Sequence, residues 1–217
     1  MYDNIDNERV SDFIMSLSEE KDDDILSLKE YAIKNNVPII RDETKSFIRM
    51  LLNLKEVSNV LEIGTAIAYS TLVIHREKQN AHIVTIEDYE KRIEEAKANI
   101  ERYFDRDKVE LIEKDAGVYL NENKAEEIFD FVFLDAAKAQ YINWLPDIKR
   151  LMKKGAILLA DNIFKDGEIL ESKYLIKKRD RTIHKRMRDF LHTLKKDKDL
   201  DTYLYNVGDG ISVSIKK

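Results

Sequence analysis

The sequence predicts an α/β protein in which a mostly parallel sheet is covered by helices on both faces, preceded by a helical cap and closed by an antiparallel hairpin. Three observations carry this reading. Short apolar runs alternate with amphipathic stretches from residue 58 onward, residues 1–57 show helical spacing only, and residues 203–215 alternate around Gly208-Asp209-Gly210. Strands that alternate with helices stack most economically as a parallel sheet wrapped on both sides. The 217 residues contain no Gly/Ser linker, low-complexity tract or repeat, so one domain is expected over 1–217, with a cap at 1–57 and an α/β core at 58–217.

In chain order, Phe47, Met50, Leu51 and Leu54 recur at three- and four-residue spacing and predict a buried helical face. The break Asn35-Asn36-Val37-Pro38 interrupts the cap, because Pro38 disfavours helix at Val37 and forces an extended connector. Strands are predicted at NVLEIG (59–64), HIVTIED (82–88), KVELIEKD (108–115), FDFVFLD (129–135) and GAILLADN (155–162). Helices are predicted between them at 69–78, 89–103, 117–127 and 139–153. Tyr203, Tyr205 and Val207, then Ile211, Val213 and Ile215, supply the hairpin and bring the sheet to seven strands.

Composition narrows the chemistry. Without cysteine there is no disulfide, thiolate metal site or cysteine nucleophile, and the expected compartment is the cytoplasm. No apolar run is long enough for a bilayer span, and the start MYDNIDNERVSDF is acidic rather than signal-like, so neither a membrane nor a leader is expected. The formal net charge of −5 argues against a polyanionic partner such as DNA, but it hides an asymmetry. Residues 172–188, SKYLIKKRDRTIHKRMR, oppose eight bases to Asp180 alone, whereas residues 1–30 are strongly acidic.

Ligands of an open parallel sheet bind beyond the carboxyl ends of its strands. Those ends carry Glu62, Glu87-Asp88, Asp115, Asp135 and Asp161-Asn162 in succession. Any single one reads as a turn or capping residue; five in a row point to a site. The segment Glu62-Ile63-Gly64-Thr65-Ala66-Ile67-Ala68-Tyr69-Ser70 turns tightly from strand to helix, yet it is neither G-x-G-x-x-G nor a P-loop. With Glu87 set to accept hydrogen bonds from ribose hydroxyls, it suggests a nucleoside cofactor lacking a pyrophosphate. Asp135, Asp161 and Asn162 are hard oxygen donors suited to Mg²⁺, although by spacing alone Asp161-Asn162 serves equally well as a simple chain turn. His75, His82, His184 and His192 lie away from these strand ends and are not read as catalytic.

Val37-Pro38-Ile39, LEIGTAIAYS, TIE, Asp115-Ala116, FLDAAKAQY and LLADN together resemble the ordered motifs of class I S-adenosylmethionine-dependent, metal-dependent O-methyltransferases of the catechol and caffeoyl-coenzyme A type, a Rossmann-like fold. Within that group the chain resembles the bacterial tRNA 5-hydroxyuridine methyltransferases. The resemblance covers nearly the whole chain and departs from it at Ala68 and Ala139, where glycine is usual. It implies that Glu62, Gly64 and Ser70 line the methionine end of S-adenosylmethionine, that Glu87 holds the ribose, that Asp115 and Ala116 flank adenine, that Asp135 also borders the cofactor, and that Val37 closes the pocket. It further implies a divalent cation, Mg²⁺ or similar, on Asp135, Asp161 and Asn162, Lys138 beside Asp135 as a general base where the adjacent metal and burial depress its pKa, and a homodimer built by the N-terminal helices.

The acceptor is then either a small catechol-like molecule or a hydroxylated base in RNA. Lys177, Lys178, Arg179, Arg181, Lys185 and Arg186, with Lys173 and Arg188, suit phosphate contacts, which favours tRNA as partner and 5-hydroxyuridine at the wobble position, methylated to 5-methoxyuridine, as acceptor. Their bland reading is a solvated helix face. Tyr141 and Trp144 would be available to stack on an unpaired base, with core packing the simpler use of Trp144. A non-catalytic RNA-binding module on the same scaffold is the alternative of another class.

Overall fold

The computed structural model describes residues 7–105, 107–165 and 167–217. Three helices, α1 (Asn7–Ser16), α2 (Asp23–Lys34) and α3 (Asp42–Leu54), form the cap; the first six residues of the expected cap lie outside the described residues. The core then runs β1 (Asn59–Ile63), α4 (Tyr69–Glu77), β2 (His82–Glu87), α5 (Glu90–Tyr103), β3 (Val109–Glu113), α6 (Ala116–Glu122), β4 (Phe129–Leu134), α7 (Tyr141–Leu151), β5 (Met152–Ala160), α8 (Arg181–Lys196), β6 (Leu200–Tyr205) and β7 (Ile211–Lys216). The sheet has seven strands in the order β3-β2-β1-β4-β5-β7-β6, parallel through β5, with β7 antiparallel to β5 and β6 antiparallel to β7. This is the predicted α/β architecture, hairpin included.

Two local expectations are corrected. Of the expected cap face Phe47 and Leu51 are half-buried against the core, but Met50 and Leu54 are exposed, and helix α3 turns Thr44, Lys45, Ile48 and Leu52 fully inward. Both stripes obey the helical period, and the inner one joins the continuous apolar core of the sheet and α4. Helix α6 stops at Glu122 rather than 127, where Asn123 takes an extended conformation and bonds back to Tyr119. The hairpin forms as expected, and on its edge strand β6 Leu200 and Thr202 are buried while Tyr203 and Tyr205 are exposed.

Helix α2 starts because Asp22 caps it, accepting from the backbone N–H groups of Asp24 and Ile25. An ion-pair network clamps the cap to the core. Glu20 accepts from Lys45 and Arg49 at 2.9 Å each, Arg49 reaches Glu77 on α4, and Arg76 of α4 holds Asp22 and Asp24. Burial works to raise the Glu20 pKa, but the bonds from Lys45 and Arg49 outweigh it and hold the carboxyl down at about 2. A carboxyl whose folded-state pKa lies below its ordinary 4.5 stabilises the fold above that pH and loses the contribution as pH falls through the lower value. Urea denaturation between pH 5 and about 2 is therefore expected to show wild type losing more stability than Glu20→Gln; parallel curves would remove the clamp.

Candidate functional site

The site forms where the carboxyl ends of β1, β2, β4 and β5 open. One cavity of about 270 Å³ is walled by Glu87, Asp88, Asp115, Ala116, Gln140 and Trp144. A second, of about 280 Å³, is walled by Pro38, Ile39, Ile40, Tyr69, Ser70 and Asn162. Gly64, Ala66, Asp135 and Ala136 border both, so the two cavities meet along one cleft.

Gly64 is the hinge of that cleft. Its φ of +105° suits glycine, and a Cβ there would fall 2.1 Å from the Asp135 carbonyl oxygen. The chain then passes through two more left-handed residues, Ala66 (φ 48°) and Ala68 (φ 65°), before α4 begins. Glu62 is fully buried below this turn. Its carboxylate accepts from Ser70 Oγ at 2.5 Å, Thr71 Oγ1 at 2.5 Å and Thr85 Oγ1 at 2.6 Å. Burial pushes the Glu62 pKa up to about 7, with the three hydroxyls opposing and Asp135 adding to the rise. Glu62 thus acts on the cleft by fixing Ser70 and the turn above it. Glu87 does the same from β2: one carboxylate oxygen accepts the Ala66 N–H at 2.8 Å and the other accepts from Asp88 and Tyr89.

Asp115 caps α6 through the Val118 N–H at 3.0 Å and also borders the first cavity beside Ala116, so its capping and lining roles coexist. Val37 does not reach the cleft. It is buried in the core, with its N–H bonded to Ala32, and Pro38, Ile39 and Ile40 form the wall in its stead.

At the mouth, Lys138 Nζ donates to Asp135 Oδ1 at 2.7 Å and to Tyr141 Oη at 3.0 Å. Asn162 Nδ2 donates to the same Asp135 oxygen at 3.3 Å, and Asp161 Oδ1 accepts from the Asn162 N–H and from Thr44 Oγ1. Burial and then the Asp135 charge push the Asp161 carboxyl up to about 6. Burial acts to lower the Lys138 pKa, but Tyr141 and Asp135 overcome it and hold the ammonium above its ordinary value. With Tyr141 and Asp135 as its partners Lys138 is held protonated, whereas the expected depression belongs to the state with a cation beside it.

Among the described residues no three His, Cys, Asp or Glu side chains gather as a metal cluster. The donors that do converge are two carboxylates and one amide. Rotating the Asn162 amide by half a turn exchanges its N–H for an oxygen facing Asp135, and the resulting set of hard oxygens fits a divalent cation such as Mg²⁺.

The basic residues spread differently. Lys177, Lys178, Arg179, Arg181 and Lys185 are exposed; Arg186 is half-buried and donates to the Ala139 carbonyl at 3.0 Å, tying α8 to the turn that carries Lys138. An open groove of about 1190 Å³ follows, walled by Lys173, Arg181, Lys185, Arg186, Arg188 and His192 among others. Tyr141 is fully buried with its hydroxyl bonded to Leu134 and Ala136, which removes it as a stacking platform.

A model of the O-methyltransferase family matches residues 15–217. The chain belongs to the O-methyltransferase family. A catechol O-methyltransferase of Niastella koreensis is 29% identical over 169 residues, 76% of each chain. A Staphylococcus aureus structure provisionally named a caffeoyl-CoA O-methyltransferase is 29% identical with a TM-score of 0.86, covering 99% of this chain and 100% of that one. An O-methyltransferase of Bacillus cereus in complex with SAH is 25% identical, with a TM-score of 0.84 over 96% of this chain and 97% of that one.

Four contributors to this O-methyltransferase's cleft escaped the sequence reading. Thr44, Thr71 and Thr85 carry no motif signal, because a lone threonine on a helix or strand is unremarkable until its partner is known. Tyr69 stood inside the quoted LEIGTAIAYS run, and its place beside Ser70 was the available clue. For Gly64→Ala, overlap with the Asp135 carbonyl and a forced left-handed backbone are expected to cost about 3 kcal/mol together, seen as a lowered midpoint in chemical denaturation. An unchanged midpoint would remove the close approach.

Proposed function

We propose that this O-methyltransferase transfers a methyl group from S-adenosylmethionine to a hydroxyl of a small catechol-like or similarly hydroxylated acceptor, assisted by a divalent cation. The observation that carries the reading is that Asp135, which borders both cavities, is bonded to Lys138 and Asn162, and that the backbone of Asn162 is bonded to the buried Asp161. The SAH-bound relative and the catechol and caffeoyl-CoA names among the relatives support it.

In this reading Glu87, Asp115 and Ala116 serve the nucleoside, while Gly64 and Ser70 serve the methionine end. S-adenosylmethionine supplies an electrophilic methyl, and a cation on Asp135, Asp161 and Asn162 supplies positive charge that lowers the pKa of a bound hydroxyl. The chain's own residues do the rest. Methyl transfer needs nucleophile and carbon held in line at about 3–3.5 Å, and the rigid Gly64–Ser70 turn fixes one side of that geometry. Pro38, Ile39, Ile40 and Tyr69 make an apolar wall that keeps water from competing. Lys138 becomes a readier proton acceptor when Asp135 is engaged elsewhere, since that carboxylate, with Tyr141, helps to hold its proton.

A second reading, the 5-hydroxyl of 5-hydroxyuridine in tRNA, is favoured by one observation: Arg186 joins the basic α8 surface directly to the Lys138 turn. The homodimer implied by the resemblance belongs with these proposals. Val10, Phe13, Ile14 and Leu17 form an exposed apolar stripe on and just after α1 that such a partner would cover.

Labelled S-adenosylmethionine with Mg²⁺ and either a catechol or bulk tRNA separates the acceptors. Label entering the catechol is expected, and label entering tRNA alone would overturn the small-molecule reading. Asp161→Ala is expected to cut transfer roughly 100-fold or more while calorimetric cofactor binding persists. Full activity of that variant in EDTA-treated buffer would end the metal reading.

A further inference from the structure

We propose that Thr44 is a positioning residue for Asp161, and that through it the helical cap sets which carboxylate oxygen the candidate metal centre presents. The inference rests on the reading of Asp161 as a metal ligand and goes beyond it, since Thr44 belongs to none of the motifs at the strand ends.

Four observations meet at this contact. Thr44 lies in the first turn of α3, is 1% exposed, and donates its hydroxyl to Asp161 Oδ1 at 3.3 Å. The Asn162 N–H donates to the same oxygen at 2.8 Å. Both hydrogen bonds therefore converge on Oδ1, and among the described residues Oδ2 has no hydrogen-bond partner. A buried carboxylate with one oxygen saturated by protein donors is held in one rotamer and offers the other oxygen outward, the arrangement by which outer groups orient ligands to a metal.

The third observation is that Thr44 is itself held from behind. A Cβ built on Gly208, in the β6–β7 turn, would lie 2.9 Å from Thr44 Oγ1, so only the bare backbone of that turn fits against the hydroxyl. The fourth is that the same turn braces the chain just after Asn162: Ile163 N–H donates to Gly210 O and Phe164 N–H to Asp209 O, each at 3.0 Å. Helix α3, the hairpin turn and the Asp161–Phe164 segment thus form one interlocked unit, and Thr44 is the side chain at which all three touch. Its position in the helix is fixed by neighbours in the ion-pair clamp, since Lys45 and Asp42 flank it.

A purely structural threonine and a positioning one predict different things. Manganous ion is a spectroscopic probe of such a site, and free Mn²⁺ is counted by electron paramagnetic resonance without any turnover. In Thr44→Val the shape is kept and the hydroxyl lost. Its Mn²⁺ affinity is expected to fall roughly 10-fold or more, the size typical of losing an outer-shell partner, while S-adenosylmethionine binding stays at the wild-type value. Thr44→Ser keeps the hydroxyl and is expected to bind Mn²⁺ close to wild type, which also guards against a Val variant that folds poorly. Mn²⁺ held equally by wild type and Thr44→Val would overturn the role of Thr44 and leave the metal reading standing. Wild-type protein binding no Mn²⁺ that Asp161→Ala abolishes would overturn both.

Discussion

The register of β4 between β1 and β5 governs the site. Ile63 stands level with Leu134, and Leu134 with Ala160. The hydrogen-bond ladder then continues one rung beyond the strands: Gly64 N–H bonds to Ile86 O, Asp135 N–H to Ile63 O, and Asp161 N–H to Leu134 O. That extra rung brings Gly64, Asp135 and Asp161 out side by side at one level. Because side chains alternate along a strand, a slip of β4 by one residue would turn the Asp135 carboxylate away from Asp161 and from the two cavities it now borders. Proximity of Asp135 to Asp161 and closeness of Gly64 to the Asp135 carbonyl are thus one constraint seen from two sides.

The turn above β1 carries strain that this register alone does not hold. Ala66 and Ala68 both sit in the left-handed region, at a cost of order 1–2 kcal/mol for each residue that has a Cβ. Ala68 is also fully buried, so its methyl is accommodated by packing rather than by solvent. What keeps the turn in place is the hydroxyl cage below it. Glu62 collects Ser70 and Thr71 from α4 and Thr85 from β2, and Thr85 in turn meets Thr65 at 2.6 Å. A fully buried carboxylate is expensive unless its lone pairs are filled. Here the filling comes from both ends of the strained turn and from the neighbouring strand, so relaxing the turn would uncover the charge.

Much of this was legible in the sequence because it is written in period and punctuation. The apolar runs ended at acids, those acids do line the sheet's carboxyl edge, and the change from strand to helix spacing located α4 to within a residue. What sequence could not reveal depends on partners far away in the chain. Phe47, Met50, Leu51 and Leu54 satisfy the helical period as well as Ile48 and Leu52 do, and only the presence of the sheet and α4 on one side decides between the stripes. The resemblance made Val37 a pocket wall, yet the core took Val37 while the cleft took Pro38, Ile39 and Ile40. For Lys138 the nearness of Tyr141, three residues on, was visible in the motif, but the direction of its hydroxyl was not.

Charge shows the same division between what is counted and where it goes. Some acids of the helical cap are answered at home: Glu20, Asp22, Asp24 and Asp42 are each paired with Lys29, Lys45, Arg49 or Arg76. In the basic stretch several hydrogen bonds run to neutral carbonyls, Arg181 to Ile176, Arg186 to Ala139 and Arg188 to Ile169. A carbonyl satisfies a guanidinium's N–H without cancelling its charge. The formal −5 therefore overstates the negative field on the side where α8 meets the Lys138 turn, since the local excess of base there survives its own hydrogen bonding. An anionic acceptor approaching along α8 meets attraction, and its encounter rate would fall as salt screens the field over about 10 Å at 0.1 M. A neutral catechol entering past Pro38 and Ile39 would be indifferent to the same salt, so the ionic-strength dependence of kcat/KM reports which face of the cleft the acceptor uses.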